Sequence, residues 1–369
     1  MNNKYLIFGN KVNIKSSIPN LNVVLEKELA AYPSIEIDEP DIVINISSKR
    51  DYPSKQAINP KSHITVKNGF ISKQKNWEIY YHKSDSNVIK VNIYLKHKLT
   101  IKKKLVKLIN MQYSNLFEGF GQTLHELILI PLNYFDPNKF ILHSSSFKSP
   151  KGKAIAIGGT GGVGKTSLEL LFCYENQFQF LSDDIAVLDK NGYIYPNLSW
   201  PKIYGYNLEN NIKLKKEIFN SQSLASKLHW SLHSRLRGAN KVRRRINPTV
   251  SYSHEKDKTQ LDYYFILNKG TESKLRLERI SGEKSAQISI DIISAEYYVF
   301  HNQLEWHSYN SSVLETKPIV CLEEVKKNWK MNMLNVFNQI NCFIIHIPQN
   351  ISHTEFLDQI ERMITDEIK

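Results

Sequence analysis

Residues 159–166 read Gly-Thr-Gly-Gly-Val-Gly-Lys-Thr, a complete G-x-x-x-x-G-K-[ST] loop. No other feature constrains the fold as much, because such a loop works only between a buried strand and a helix. Both flanks fit. Ala154-Ile155-Ala156-Ile157 is a short apolar run suited to a buried strand, and Leu168, Leu171 and Phe172 follow at helical spacing. Gly159, Gly161, Gly162 and Gly164 let main-chain N–H groups converge on phosphate oxygens without Cβ clashes. Thr160, Val163 and Ser167 belong to the same expected phosphate-binding stretch. The helix start adds unpaired donors and the positive end of its dipole. Lys165 can reach the β- and γ-phosphates of a nucleotide, and the Thr166 hydroxyl can join a Mg²⁺ shell.

Loops of this kind work with a carboxylate at the end of a nearby strand, which holds the metal directly or through water. Phe178-Gln179-Phe180-Leu181 reads as such a strand and ends in Ser182-Asp183-Asp184. Adjacent side chains at a strand end point to opposite sides, so one Asp can face a metal and the other an acceptor. Two close carboxylates titrate as a coupled pair, and one then holds a proton more readily than a free Asp. The competing reading of the pair is a solvated turn opening a hairpin.

A third feature precedes the loop. Phe140-Ile141-Leu142 reads as a strand closed by His143. In order and spacing, His143, Gly159 to Thr166 and Asp183-Asp184 resemble the HPr kinase/phosphorylase family, which carries the phosphoenolpyruvate-carboxykinase type of P-loop. The resemblance covers residues 120–200, with weaker support toward the C-terminus. It implies an α/β fold, with a P-loop kinase core of the HPr kinase / phosphoenolpyruvate carboxykinase type over residues 121–369. A separate N-terminal α+β module, residues 1–120, lies outside it. It also implies a Mg²⁺-dependent kinase that moves the γ-phosphoryl group of ATP to a serine-type hydroxyl. In that scheme Lys165 contacts the nucleotide phosphates, Thr166 and Asp183 serve Mg²⁺, Asp184 takes the hydroxyl proton, and His143 sits near the transferred group. On the residues alone, His143 reads also as a hydrogen-bonded strand-end residue.

The chain departs from that family in three places. Thr166 stands where the family has Ser, the interval from Lys165 to the Asp pair is one residue longer, and no HPr-recognition signature follows Tyr206. The pattern is closer to divergent relatives that phosphorylate a free amino acid, a sugar-linked small molecule or a peptide serine. The expected partners are therefore a nucleotide and a hydroxyl-bearing acceptor, small molecule or peptide.

A chain of 369 residues has room for two or three domains, and 41% hydrophobic with 23% charged residues is ordinary for a soluble protein. No apolar run reaches the roughly 18 residues of a membrane span. Three scattered cysteines without metal spacing imply a reduced, cytoplasmic compartment, and the start shows no signal-peptide pattern. Self-association into a homo-oligomer is left open. In the N-terminal part, Ile42 to Ile46 reads as a strand, Asn68-Gly69 as a hairpin turn, and Ile89 to Leu95 as a half-buried strand. Residues 101–109 read as a basic amphipathic helix. Leu124, Leu127, Ile128 and Ile130 suggest a helix that Pro131 kinks or stops. Near the C-terminus, Leu322 to Val336 reads as a helix and Cys342 to Ile345 as a buried strand. Ser352 and Glu355 form a capping-box pattern before a last helix.

The formal net charge of +13 allows anionic partners without choosing one. Lysine and arginine concentrate between 202 and 258, a stretch expected to form short helices or a mobile flap. Arg243-Arg244-Arg245 reads as a solvated flap, as contacts to the acceptor or transferring phosphate, or, with Trp230, as a nucleic-acid site. The rival function is accordingly a non-catalytic, nucleotide-dependent regulatory or nucleic-acid-binding protein. Asp189 to Gly192 matches a GTPase D-x-x-G, but Asn268-Lys269 is followed by Thr271 where N-K-x-D needs Asp, so a hairpin turn explains the first better. His229 and His233 share a helix face without a third metal ligand nearby.

Overall fold

Ile42, Ile44 and Ile46 are buried and alternate with half-buried neighbours, the period of two that one covered sheet face requires. In the computed structural model, which describes residues 1–36, 38–59, 62–84, 88–96, 118–209, 211–220, 222 and 224–369, that segment lies inside an eight-stranded sheet. Its strands are β1 (Asn2–Ile7), β2 (Asn10–Ser16), β3 (Ile42–Ser47), β4 (Lys55–Ile58), β5 (His63–Val66), β6 (Gly69–Lys73), β7 (Trp77–Lys83) and β8 (Ile89–Leu95). They run in the order β1-β2-β3-β8-β7-β6-β5-β4. β2, β3 and β8 are parallel, which needs a crossover, and helix α1 (Pro19–Leu29) supplies the one between β2 and β3. Asn68, at φ 60, turns the β5–β6 hairpin. The pattern at 101–109 falls outside the described residues.

Helix α2 (Glu118–Leu124) continues into a wide helical turn, His125–Leu129, and Pro131 opens a tight turn, Pro131–Phe135. Proline is tolerated at that first position because its missing N–H has no helical partner there. The second sheet follows. It contains β9 (Lys139–Leu142), β10 (Ser144–Lys148), β11 (Ala154–Gly159), β12 (Gln179–Ser182), β13 (Ala186–Asp189) and β14 (Tyr193–Tyr195). Helix α3 (Lys165–Glu169), extended by a wide turn over Leu170–Glu175, sits between β11 and β12. Asp189 closes the β13–β14 hairpin by accepting from the N–H groups of Asn191 and Tyr193.

The basic stretch forms short elements. β15 (Lys202–Tyr204) pairs with β16 (Arg243–Arg245), and between them lie α4 (Tyr206–Glu209), α5 (Ile212–Asn220) and α6 (Leu224–Arg237). The short α7 (Pro248–Ser251) leads to β17 (Thr259–Gly270), whose neighbour changes along its length. Its start pairs with β14, and from Tyr263 onward it pairs with β19 (Asn341–Pro348), while β11 runs along its other edge. β18 (Arg276–Arg279) borders β19. β11, β17 and β19 are parallel, and every β11 residue is buried, as expected of a strand covered on both faces.

Helices α8 (Gly282–Glu296), α9 (Tyr298–Val313), α10 (Leu322–Phe337) and α11 (His353–Glu367) complete the chain. α3 packs on β10 and β11 and meets α11, while α8 packs on β11 and β19 and is backed by α10. Ser352 caps α11 by accepting from the Glu355 N–H at 3.2 Å. α9 turns toward the first sheet: Asn310 donates to Thr65 at 2.9 Å, and Gln303 lies 3.1 Å from His63. The apolar core runs without a break from Ile44 and Val91 to Ile157 and Phe265. Among the described residues, no helix is long and apolar enough to cross a membrane.

Candidate functional site

The glycine loop leaves the C-terminal end of β11, beside parallel β17 and β19, where open parallel sheets form their ligand crevices. At two of its glycines a Cβ would also clash with the surrounding protein. Gly159 has φ 141 and a Cβ there would meet the Leu267 carbonyl at 2.9 Å. Gly164 has φ 108 and a Cβ would strike the Phe356 ring at 2.4 Å, so α11 presses on the helix start. Residues 160–162 stand exposed at the tip.

Lys165 is buried and its ammonium turns back into the loop, donating to the carbonyls of Gly159 at 2.8 Å and Thr160 at 3.0 Å. Burial pulls its pKa below the ordinary lysine value, against the opposing charges of Asp184, Asp183 and Glu296. His143 packs against the same carbonyl, with Nδ1 2.7 Å from Gly159 O and Nε2 3.0 Å from Asp184 Oδ1. Both ring nitrogens thus face oxygen atoms, which fixes the ring between the loop and Asp184. Lys165 Nζ lies 3.3 Å from His143 Nδ1.

The two aspartates separate as adjacent residues at a strand end do. Asp183 is buried, and its Oδ1 accepts from Ser145 at 3.2 Å and lies 3.5 Å from the Thr166 hydroxyl. Burial and the neighbouring Asp184 charge raise its pKa. Asp184 is half-exposed at the cavity wall. Burial works against its ionisation, but Lys202, the His143 hydrogen bond and Lys165 outweigh this and hold its carboxyl well below the usual range. Environments that push a carboxylate pair apart in this way are what divided proton roles need. Behind Asp183 lies Glu169, fully buried, its pKa raised well above normal by burial and by the Asp183 charge.

His143, Lys165, Thr166, Asp183 and Asp184 open onto a cavity of about 950 Å³. Several of its lining residues carry no local motif. Lys202 pairs with Glu126 and lies 3.5 Å from Asp184 Oδ2. Burial opposes its charge, yet Glu126 and Asp184 hold its pKa above the ordinary value. Gln122 donates to both oxygens of Glu126, at 2.8 and 2.7 Å. Tyr297 donates its hydroxyl to the Glu126 carbonyl. Glu296 Oε1 accepts from the Gly161 N–H at 2.5 Å, so a carboxylate sits on a main-chain donor of the loop. Tyr204 and Tyr206 stack at 5.6 Å on the same wall. Only Glu126 left a trace in the sequence, as a single charge inside the apolar run from Leu124 to Ile130.

Some expected residues lie elsewhere. Ser167 is buried, accepts from Asn207 at 2.8 Å and does not line the cavity. Of the three arginines, Arg243 lines the cavity and donates to the Tyr204 hydroxyl at 2.7 Å. Arg244 lies over Trp230 and 2.6 Å from His229 Nδ1. Arg245 makes a buried two-pronged pair with Glu28, at 2.6 and 2.9 Å, which fastens β16 to α1. Among the described residues, no group of three or more His, Cys, Asp or Glu forms a metal cluster. The His229 and His233 rings meet at a tilt, their centroids 4.3 Å apart.

No family model matches the chain, and no curated protein matches it. Among solved structures, an Hpr(Ser) kinase/phosphatase from Coxiella burnetii aligns with 62% of this chain and 99% of its own, at 14% identity and a TM-score of 0.23. A superposition that loose carries no argument about activity, and the functional reading rests on the residues of the cavity themselves.

Proposed function

We propose that the chain is a Mg²⁺- and ATP-dependent kinase that moves the γ-phosphoryl group to a hydroxyl of a small molecule or peptide. One observation supports this above others: Lys165, Thr166, Asp183, Asp184 and His143 converge on one cavity at the exit of a buried parallel strand. Phosphoryl transfer needs little covalent help, so positioned charge suffices for most of the catalysis. Thr166 and Asp183 offer the hard oxygen donors that Mg²⁺ takes and would hold it. When bound, the ion supplies positive charge to the phosphate oxygens. Lys165 swings from its carbonyl partners toward the phosphates. In the transfer, the acceptor oxygen bonds to phosphorus, the β,γ-bridging P–O bond breaks, and the hydroxyl proton passes to Asp184. His143 orients Asp184, and Lys202 keeps it ionised.

Calorimetry and label transfer test the reading. With ATP and Mg²⁺ the protein releases or absorbs heat on binding, and Lys165→Ala does not. With γ-labelled ATP and a pool of hydroxyl-bearing metabolites and peptides, a labelled product forms. A wild-type protein that binds no nucleotide at millimolar concentration ends this proposal.

A further inference from the structure

The most unusual surface of the molecule lies away from the cavity. On α6, Leu224, Leu228, Leu232 and Leu236 are 78%, 71%, 53% and 72% exposed. Their four-residue spacing puts all four on one face, spread over about a third of the helix circumference. The opposite face is already committed: Ser226, Trp230 and His233 are buried, Trp230 against Phe219 and Arg244. The leucines therefore are not the face by which α6 packs on the core. They form a second apolar face, and contiguous exposed apolar surface of this kind marks a binding site.

Charge narrows the occupant. α6 contains Lys227, Arg235 and Arg237 and no acidic residue. Beside the stripe runs a groove between α5 and α6, lined by Lys215, Lys216, Lys227 and Arg235 over Phe219 and Trp230. A second copy of this chain would bring the same cations face to face. Its four leucines would also bury only about 250–500 Å² per copy, short of the roughly 800 Å² per partner of a standard interface. An anionic lipid surface has neither difficulty. It takes a helix with leucines facing the acyl chains and Lys/Arg flanking them, lying in the interface plane. Its headgroup phosphates suit the neighbouring lysines.

We infer that α6 seats the protein on anionic membrane surfaces, with the four leucines in the acyl boundary and the α5–α6 groove against headgroups. The inference is independent of the kinase reading, because none of these residues lines the cavity.

The test is flotation of the full chain with phosphatidylcholine vesicles, with and without phosphatidylserine. The wild type should float with the phosphatidylserine vesicles, stay behind with phosphatidylcholine alone, and release in high salt. Leu228→Ser/Leu232→Ser should lower the partition coefficient on the order of tenfold or more with an unchanged thermal melt, since both side chains are exposed. A wild type that fails to float overturns the inference. So does a double variant that floats as well as the wild type, which would mean charge alone. If light scattering finds a dimer that the double variant converts to monomer, the stripe belongs to a second copy. If an acidic, leucine-bearing helical peptide binds more tightly than vesicles, it belongs to a protein partner.

Discussion

Asp184 stands at φ 65, in the left-handed region that side chains with a Cβ rarely enter. Aspartate and asparagine tolerate that region better than most residues, because a short polar side chain can hydrogen-bond locally. Backbone strain of this kind gathers at functional sites, where the surroundings hold it in place. Here His143 and Lys202 hold it, one on each carboxylate oxygen. The consequence for testing is specific. Asp184→Ala mixes backbone and charge effects, whereas Asp184→Asn keeps the conformation, removes the charge and turns one of the two acceptor atoms into a donor. In the proposed kinase, Asp184→Asn should bind ATP as the wild type does and transfer phosphoryl slower by on the order of 10²–10⁴. A strongly ionised carboxylate is a weak base in solution terms, but proton acceptance at a loose phosphoryl transition state depends more on position than on basicity. Transfer at the wild-type rate would remove Asp184 from the mechanism.

At the scale of elements, the joint between α8 and α9 decides what the loop can bind. Glu296 ends α8 with its carboxylate on the Gly161 N–H, while Tyr297, the next residue, is tied to the Glu126 carbonyl. If Gly161 donates to a phosphate oxygen in the working state, Glu296 competes for the same donor. Glu296→Ala should then tighten ATP binding on the order of tenfold, the equivalent of one charge-assisted hydrogen bond, read as the calorimetric Kd. Weaker binding would instead make Glu296 part of the ligand's own set of contacts. α9 was not legible in the sequence, and the reason is physical. Hydrophobic periodicity finds helices with an apolar buried face. α9 buries His301, Gln303, His307, Asn310 and Ser311 beside Phe300 and Leu304, so its inner face looks polar. Asn310, Gln303 and His301 bond across long distances to Thr65, His63 and Tyr134, which no local window contains. Lys202, Glu296 and Tyr297 escaped for the same reason. What could be read was local: the glycine loop between strand and helix, the Asn68 turn, the Asp189 turn, and the Ser352 cap all depend on neighbours within a few residues.

Across the whole molecule, the polar face of α9 sets two buried histidines, His301 and His307, at the seam with the first sheet, where His63 of β5 is a third. Burial lowers His63, His301 and His307 from 6.5 to about 4. The sign of their effect follows from proton counts. Between about pH 6.5 and 4 the unfolded chain binds a proton at each site that the native state refuses. Stability therefore falls as pH falls through this window, each histidine removing on the order of 1–2 kcal/mol by pH 5. Glu169 and Asp183 work in the opposite direction. Their pKa values are raised in the native state, so the burden of burying them is relieved as pH falls toward the unfolded carboxylate value. The net slope of the wild type thus mixes both signs and is a poor measure of either. A difference isolates one group. His307 accepts from the Ile319 N–H at 3.1 Å, a role the Gln amide oxygen can take over without a titrating site. Urea unfolding at several pH values should show His307→Gln losing less stability than the wild type between pH 6.5 and 4, by on the order of 1–2 kcal/mol at pH 5. Parallel curves would mean that His307 takes its proton without unfolding, and that the seam between α9 and the first sheet admits water.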